Sequence, residues 1–551
     1  MKWRIGSLIS FFGVLYIALV FQLYNLQFKK NALYEAKAES QQVASGVLQP
    51  NRGNVYVTDK NGNRIQAIMN KEFSLIYAVP KEVSDPDVVA LNVSKILGLS
   101  QPDVKAMLVK TNDQYELLKF KATNEEVDAI KKLDARGIYI KKQQGRFYPL
   151  GTLVSHVLGY VGPVNEEEKK EGGYSEKGMY GIEKQFNEEL MGSMGKVKGD
   201  RIVYPQDGRD IVLTIDRNIQ AQGEEIIRNL VEKWGAESGT VIVQEPKTGK
   251  ILAMGNYPTF DPNNYKEAEM KDFINIAVQS LYEPGSVMKP ITMSAGIDSG
   301  KITPDTAYND TGSVTLNKRT IKNWDLKAYG RTTMTGVIEH SLNVGTVFAQ
   351  QQMGDEIFKD YFLNRYTFGE KTGIALPGER DGNVSPLKSG QAVNYATAAF
   401  GQGIAVTPLK MVSVMSAIAN HGVLMKPLIL ADEEPQEVRR VISEDAARKV
   451  AEMMVSAVYV NKLAEIPKYQ VAGKTGTAYV PNFGGRGYSD DVVNTYEGFA
   501  PAYHPKFVIL IKVERPKGAP LAGQTVVPAF KELSQFILNY YNIAPDKPSE
   551  R

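Results

Sequence analysis

The sequence predicts an α+β, multidomain chain on a membrane anchor. An extended pedestal comes first, followed by a larger domain in which an antiparallel sheet lies beside a helical subdomain. Three observations predict it: a charge-free apolar run opens the chain, short strand patterns and turn signals fill much of residues 52–208, and beyond residue 209 strand patterns flank a long helical stretch. At 551 residues there is material for roughly three or four domains of about 150 residues, and 43% apolar residues suffice for ordinary cores.

Composition narrows the function. A formal net charge of +3 is nearly balanced at this length and gives no electrostatic footprint for nucleic acid. The sequence has no cysteine, which excludes disulfides, thiolate nucleophiles and cysteine metal sites. His156, His340, His421 and His504 lie in no HExxH or comparable spacing, so neither a metal nor a cofactor is expected.

The elements follow in order. After Lys2 and Arg4, residues 5–28 carry no charge, and Ile5 to Phe21 is almost continuously apolar, long enough to cross about 30 Å of hydrocarbon. The run exceeds the roughly 7 to 15 residues of a cleaved leader's apolar core, and no small-x-small site follows promptly, so an uncleaved single-pass anchor is expected. Lys2 and Arg4 face Lys29 and Lys30 across the span, and with only four residues before it, residues 1–4 are expected as a cytoplasmic tail with the rest of the chain outside the cytoplasmic membrane. Residues 29–45 read as a helix leaving the membrane, broken by Pro50. Two short strands are expected within 52–68 about Asp59-Lys60-Asn61-Gly62, whose Asn-Gly pair is a hairpin signal. Residues 80–140 alternate helical patterns with short strands, a small α+β insertion, and glycine-rich residues 145–208 return to extended and turn structure. The pedestal is thus 29–208.

Residues 209–545 form the larger domain and 546–551 a tail. Residues 239–258 read as a hairpin around Pro246-Lys247-Thr248-Gly249, 470–480 as a strand, and 494–514 as two more. Residues 528–541 read as a closing helix that packs its apolar stripe on the sheet.

Gly473-Lys474-Thr475 tempts a phosphate-loop reading, but Lys468 stands where that pattern needs glycine, and the residues after Lys474 continue as a strand instead of opening a helix. In Ser286-Val287-Met288-Lys289 the serine and lysine are three apart, which on a helical turn puts them on one face. Serine needs a base, and Lys289 serves if burial and a neighbouring positive charge depress its pKa. Pro290 places this turn at a helix start, tightened towards 3₁₀. Ser341-Leu342-Asn343 and Lys474-Thr475-Gly476-Thr477 follow downstream. SxxK, an SDN-type triplet and KTG on a strand, in that order, are the motifs of penicillin-binding proteins and serine β-lactamases.

Over almost its whole length the chain resembles a class B penicillin-binding protein, a membrane-anchored, monofunctional peptidoglycan D,D-transpeptidase. "RGNVYVTDKNG", "RFYPLGTLVSHVLGYVG" and "GMYGIEKQFNEELMGSMG" resemble the pedestal, or dimerisation-type, domain of that family. "DIVLTID", "PTFDPN", "TGIALPGE" and "GQGIAVTPLKM" resemble its transpeptidase domain. "YEPGS" leans towards the cell-division branch.

The resemblance implies a serine β-lactamase/transpeptidase-like domain with a five-stranded antiparallel sheet and a helical subdomain. It implies Ser286 as nucleophile, Lys289 as its base, Ser341 as proton relay to the leaving amine with its pKa lowered by Lys474, and Asn343 orienting the substrate amide and Lys289. Thr475 and Thr477 would meet the substrate carboxylate beside Lys474, Gly476 would admit the substrate strand closely, and the main-chain N–H groups of Ser286 and Thr477 would form the oxyanion hole. The reaction is acyl transfer from a D-Ala-D-Ala stem peptide to a neighbouring stem's amine, with β-lactams as donor mimics. Implied partners are peptidoglycan stem peptides, β-lactam antibiotics, a membrane glycosyltransferase and other cell-wall or division proteins, with no nucleic acid. The rival readings are a D,D-carboxypeptidase or β-lactamase-like hydrolase, and a scaffold that activates a glycosyltransferase.

Four features receive plainer readings. A second KTG, Lys371-Thr372-Gly373, has turn-forming flanks and is expected in a loop. His340 is expected to pack at a helix end, Asp261 to form a turn, and Phe147 and Tyr148 to pack the pedestal.

Overall fold

The computed structural model describes residues 2–29, 47–110, 113–165, 176–198, 201–481, 487–518 and 521–547. The expected helix over 29–45 lies almost wholly outside the described residues. Helix α1 (Lys2–Tyr24) has 23 residues and ends in a π turn to Lys29. At 1.5 Å per residue it is about 35 Å long, sufficient for a bilayer core. Its apolar side chains are exposed, whereas the core helix of a soluble protein would bury them.

The chain divides into two compact units, residues 68–149 and the remainder. In the second unit β1 (Val55–Thr58) turns at Asp59–Gly62 into β2 (Arg64–Ala78). Gly62 takes φ +79°, and the Asp59 carboxylate accepts from the Asn61 and Asn63 N–H groups, so the Asn-Gly signal works through side-chain bonding as well as glycine freedom. The following strand has 15 residues and is not the short one expected, because its continuation pairs within residues 68–149.

Within that smaller unit, the end of β2 pairs antiparallel with β3 (Glu116–Ala122) and β4 (Ile138–Phe147). Helices at Pro86–Leu97, Gln101–Leu108 and Asn124–Leu133 supply Ala90, Val93, Leu97, Val104, Leu108 and Ile130 to its core. This is the expected α+β insertion. Tyr148 is buried, and Phe147 meets Phe73 edge-on. The glycine-rich segment is less extended than expected: short helices form at Ser155–Leu158, Gly181–Gln185 and Asn187–Met191.

Beyond it, β5 (Ile211–Asp216) leads into α2 (Arg217–Trp234), capped by Asp216 accepting from Asn218 and Ile219. The hairpin β6 (Ser238–Gln244) and β7 (Ile251–Tyr257) forms about residues 246–249, with Gly249 at φ +82°. A helical region follows. It contains α3 (Lys289–Asp298), α4 (Met334–His340), α5 (Asn343–Met353), α6 (Pro408–Ala419) and α7 (Glu444–Asn461).

The chain then returns to the sheet through β8 (Ala472–Pro481), β9 (Tyr488–Ala500) and β10 (Phe507–Glu514), and α8 (Val526–Tyr540) closes it. The five strands run β7-β6-β10-β9-β8, all antiparallel. On one face α2 and α8 bury Ile227, Leu230, Phe530, Leu533 and Ile537 against Val241, Ile509 and Ile511. Each such side chain contributes roughly 1.5–3 kcal/mol on burial. The helical region covers the other face, and β8 is the edge strand beside it.

Candidate active site

Ser286 lies in a 3₁₀ turn, Gly285–Met288, that runs into α3 with Pro290 in its first turn, as expected. Two neighbouring segments fix this turn. Gly285 takes φ +61° and donates its N–H to the Gly401 carbonyl at 3.0 Å, while Tyr282 exchanges main-chain bonds with Val406. The segment "GQGIAV" therefore holds the Ser286 turn from behind. From the side comes β8: a Cβ on Gly476 would sit 2.9 Å from the Pro284 carbonyl and 3.1 Å from Val287 Cγ1. Gly476 thus lets the chain's own Ser286 turn press against the strand.

Lys289 is fully buried and Lys474 is 3% exposed. Both converge on Ser341. Lys289 Nζ donates to the Ser341 carbonyl at 2.5 Å and to Oγ at 3.2 Å, and Lys474 Nζ donates to the same Oγ at 2.9 Å. Ser341 sits between α4 and α5 in the left-handed region, φ +56°, a conformation costing an L-residue roughly 1–2 kcal/mol. Such strain clusters where geometry matters to chemistry.

Among the described residues neither lysine has a carboxylate within ion-pair distance. Burial, and then the charge of Lys474, hold Lys289 well below the ordinary lysine range, while burial brings Lys474 down to about 7. A neutral Lys289 has the lone pair that a base requires. Ser286 itself is partly exposed, and among the described residues its hydroxyl makes no hydrogen bond, leaving it open to a ligand.

The other expected site residues are placed as follows. Lys474 Nζ also donates to the Thr475 carbonyl at 3.1 Å and hydroxyl at 3.2 Å. The Thr477 hydroxyl accepts from the Ala522 N–H at 3.3 Å. Asn343 Nδ2 donates to the Lys322 carbonyl at 2.9 Å, whereas the hydrogen bonds of Lys289 go to Ser341. The Ser286 N–H belongs to a first helical turn, whose N–H groups lack acceptors within the helix.

The plainer readings hold. His340 ends α4 and its ring lies 4.8 Å from that of Tyr329. Asp261 accepts from the Asn263 N–H. Lys371-Thr372-Gly373 is a loop, clamped by Glu379 accepting from the Thr372 and Gly373 N–H groups.

Sequence reasoning missed three residues here. Trp324 is exposed and donates Nε1–H to the His340 carbonyl at 3.0 Å, bracing the turn at Ser341. Glu497 lies directly across the strand pair from Lys474, fully buried, with Tyr282 beside it. Strand alternation offered one signal: Glu497 shares its face with Val493, Thr495 and Phe499, the inward side.

A partly exposed serine on a helix start, beside the edge of an antiparallel sheet and two buried lysines that meet on a second serine, is the arrangement of a serine acyl-transfer site. Comparison with known proteins agrees: residues 239–535 match the penicillin-binding protein transpeptidase domain and residues 47–227 the penicillin-binding protein dimerisation domain. The chain belongs to the penicillin-binding proteins that combine these two domains, the class B proteins, with relatives in the cell-division branch.

It is 31% identical over 515 residues to stage V sporulation protein D of Bacillus subtilis, covering 87% of this chain and 76% of that one. With the peptidoglycan D,D-transpeptidase FtsI of Escherichia coli K12 it shares 28% identity over 511 residues, covering 89% and 84%. The crystal structure of penicillin-binding protein 3 from Mycobacterium tuberculosis complexed with aztreonam matches with a TM-score of 0.70 at 27% identity, covering 91% of this chain and 98% of that one.

Proposed function

We propose that the chain is a peptidoglycan D,D-transpeptidase acting in cell division, anchored by α1 with residues 1–4 in the cytoplasm and the catalytic domain outside. In this reading residues 29–208 are the pedestal and 209–545 the transpeptidase domain. The observation that carries it is the convergence of Lys289 and Lys474 on the Ser341 hydroxyl beside the Ser286 turn.

Lys289 takes the proton of Ser286 as Oγ attacks the penultimate D-alanine carbonyl of a stem peptide. The N–H groups of Ser286 and Thr477 receive the developing oxyanion, each such donor being worth roughly 3 kcal/mol in acyl transfer. Ser341 hands a proton to the departing D-alanine amine, with Lys474 supporting its ionisation. The Lys474 cation, Thr475 and Thr477 hold the terminal carboxylate, and Asn343 orients the donor amide. The amine of a second stem peptide then resolves the ester. β-Lactams enter as donor mimics and stay on Ser286, and a membrane glycosyltransferase is the expected partner in the wall.

Intact-protein mass spectrometry of the full chain in detergent tests this. One opened benzylpenicillin should add to the wild type and persist for hours, with none on Ser286→Ala. Rapid loss of the adduct would instead make the protein a hydrolase, and an adduct on the variant would displace Ser286 as nucleophile.

A further inference from the structure

The register β8 to β9 sets Lys474 directly opposite Glu497, so both side chains leave the same face of the sheet. Opposite residues in an antiparallel pair have Cβ atoms about 5 Å apart, within reach of two long side chains. Glu497 is 0% exposed, and among the described residues both carboxyl oxygens lack a hydrogen-bond partner. A buried carboxyl left this way is costly if it is charged and isolated, so its presence needs a reason.

The groups packed around it leave few candidates for a partner. From β10, Lys512 faces the same side but is already paired with Glu514, and its Nζ lies 5.1 Å over the Tyr282 ring. From the segment before the nucleophile turn comes Tyr282, whose phenol interacts with Thr495 and whose pKa is raised well above the usual range, by burial first and then by Glu497. Helix α6 packs on this face as well. Its single charged residue, Lys410, donates to the Thr367 hydroxyl at 3.2 Å. Lys289 is turned to Ser341. Helix α7, which packs on β8, keeps Glu444, Asp445, Arg448 and Glu452 exposed, and its Arg448 and Lys449 pair with Asp445 and Glu452. That leaves Lys474, a buried amine whose own contacts are hydroxyls and a carbonyl.

We propose that Glu497 is a positioning residue for Lys474: the two, neighbours across the strand pair on one buried face but not in direct hydrogen bond, are coupled through space and hold one proton between them, which lets Lys474 present an ammonium to a bound carboxylate without the empty site burying net charge. The shared proton lies on Nζ, giving ammonium facing carboxylate, or on the carboxyl, giving acid facing amine. Exchange between the two moves one proton and leaves the total charge unchanged. When a substrate carboxylate arrives beside Lys474, it replaces Glu497 as the counter-ion, and the pair takes up a second proton from solvent.

Burial pushes the two groups towards each other in pH, the amine down and the acid up, which is the condition for sharing. Loss of the last proton from the pair would leave a buried anion, whereas loss of the proton from an isolated Lys474 leaves a neutral amine. The pair therefore holds its proton to higher pH than Lys474 alone.

This inference rests on Lys474 acting as the carboxylate-binding cation. The test is the rate of acylation of the full-length chain in detergent by a fluorescent penicillin, from about pH 6 to about pH 10. The wild type should show an acid limb from Lys289 and an alkaline limb from the pair. In Glu497→Gln the alkaline limb should move down by about one pH unit, an approximately tenfold loss of rate near pH 9, with the acid limb in place. Glu497→Asp should recover part of the shift. Glu497→Leu, an apolar replacement in largely apolar surroundings, should shift the limb in the same direction and serves if the glutamine variant does not fold, which thermal unfolding checks. A variant profile that superimposes on the wild type, or is lowered uniformly at every pH, overturns the proposal and leaves Glu497 a structural residue. A wild type with no alkaline limb overturns it differently, by removing the role given to Lys474.

Discussion

Ser341 accepts Lys289 Nζ twice, through its main-chain carbonyl at 2.5 Å and its hydroxyl at 3.2 Å. Lys289 is therefore held partly by backbone that a side-chain substitution leaves in place. Ser341→Ala keeps the carbonyl acceptor and removes the relay, so acylation should fall by roughly 10²–10⁴ with little change in melting temperature. Ser341→Gly should lose the same activity yet gain up to about 1 kcal/mol, since glycine adopts the left-handed conformation without penalty. Stopped-flow acylation and calorimetry on both variants check this, and wild-type kinetics in Ser341→Ala would remove the relay role.

Gly476 should not accept even one methyl. The new Cβ would lie 2.9 Å from the Pro284 carbonyl, a main-chain atom that moves only with the nucleophile turn. Gly476→Ala should cost about 1–3 kcal/mol as overpacking and slow acylation by roughly 10²-fold through displacement of Ser286. An acylation rate within a factor of two of wild type would show that the turn yields freely.

Stability should depend on pH through Glu224 in α2, which accepts from the Val154 N–H and from Gln220, and whose carboxyl burial raises to about 7 from 4.5. The folded chain thus keeps a proton that the unfolded chain releases. The stabilisation is full below about pH 4.5 and is lost as pH rises through 7. A shift of that size corresponds to about 3 kcal/mol, nearer about 2 because Glu224 keeps some exposure to water. Glu224→Gln should therefore be more stable than wild type at pH 8 and no more stable at pH 4.5, measured by urea unfolding at each pH. A difference that is the same at both values would exclude the titration.

The sheet, its closing helix and the serine turn were legible because each is written in local pattern: period-two strands, an apolar helical stripe, and a proline that can only open a helix; α2, on the same face of the sheet, was not read. The triplet at Ser341 and the lysine at 474 were legible because chemistry restricts the residue types that serve there. Glu497 was not, since nothing in "NTYEGFAP" says that its strand neighbour is Lys474; that follows from register, which forms only with the sheet. The short helices between residues 155 and 191 were hidden for another reason. Helices of four or five residues carry too little periodicity to read, and tertiary packing sustains them. The two KTG triplets show the limit of motif reading: identical residues are separated only by whether a strand or a carboxylate clamp surrounds them.

Strand β8 ends the five-stranded order, and no described strand pairs with its outer edge. That edge offers main-chain N–H and C=O groups to an extended peptide lying beside Ser286. Recognition made of backbone cannot be mutated away one residue at a time. What substitution can change is the spacing of β8 against the serine turn and the side chains at its rim. Any ligand that lies along this edge meets the same main-chain groups.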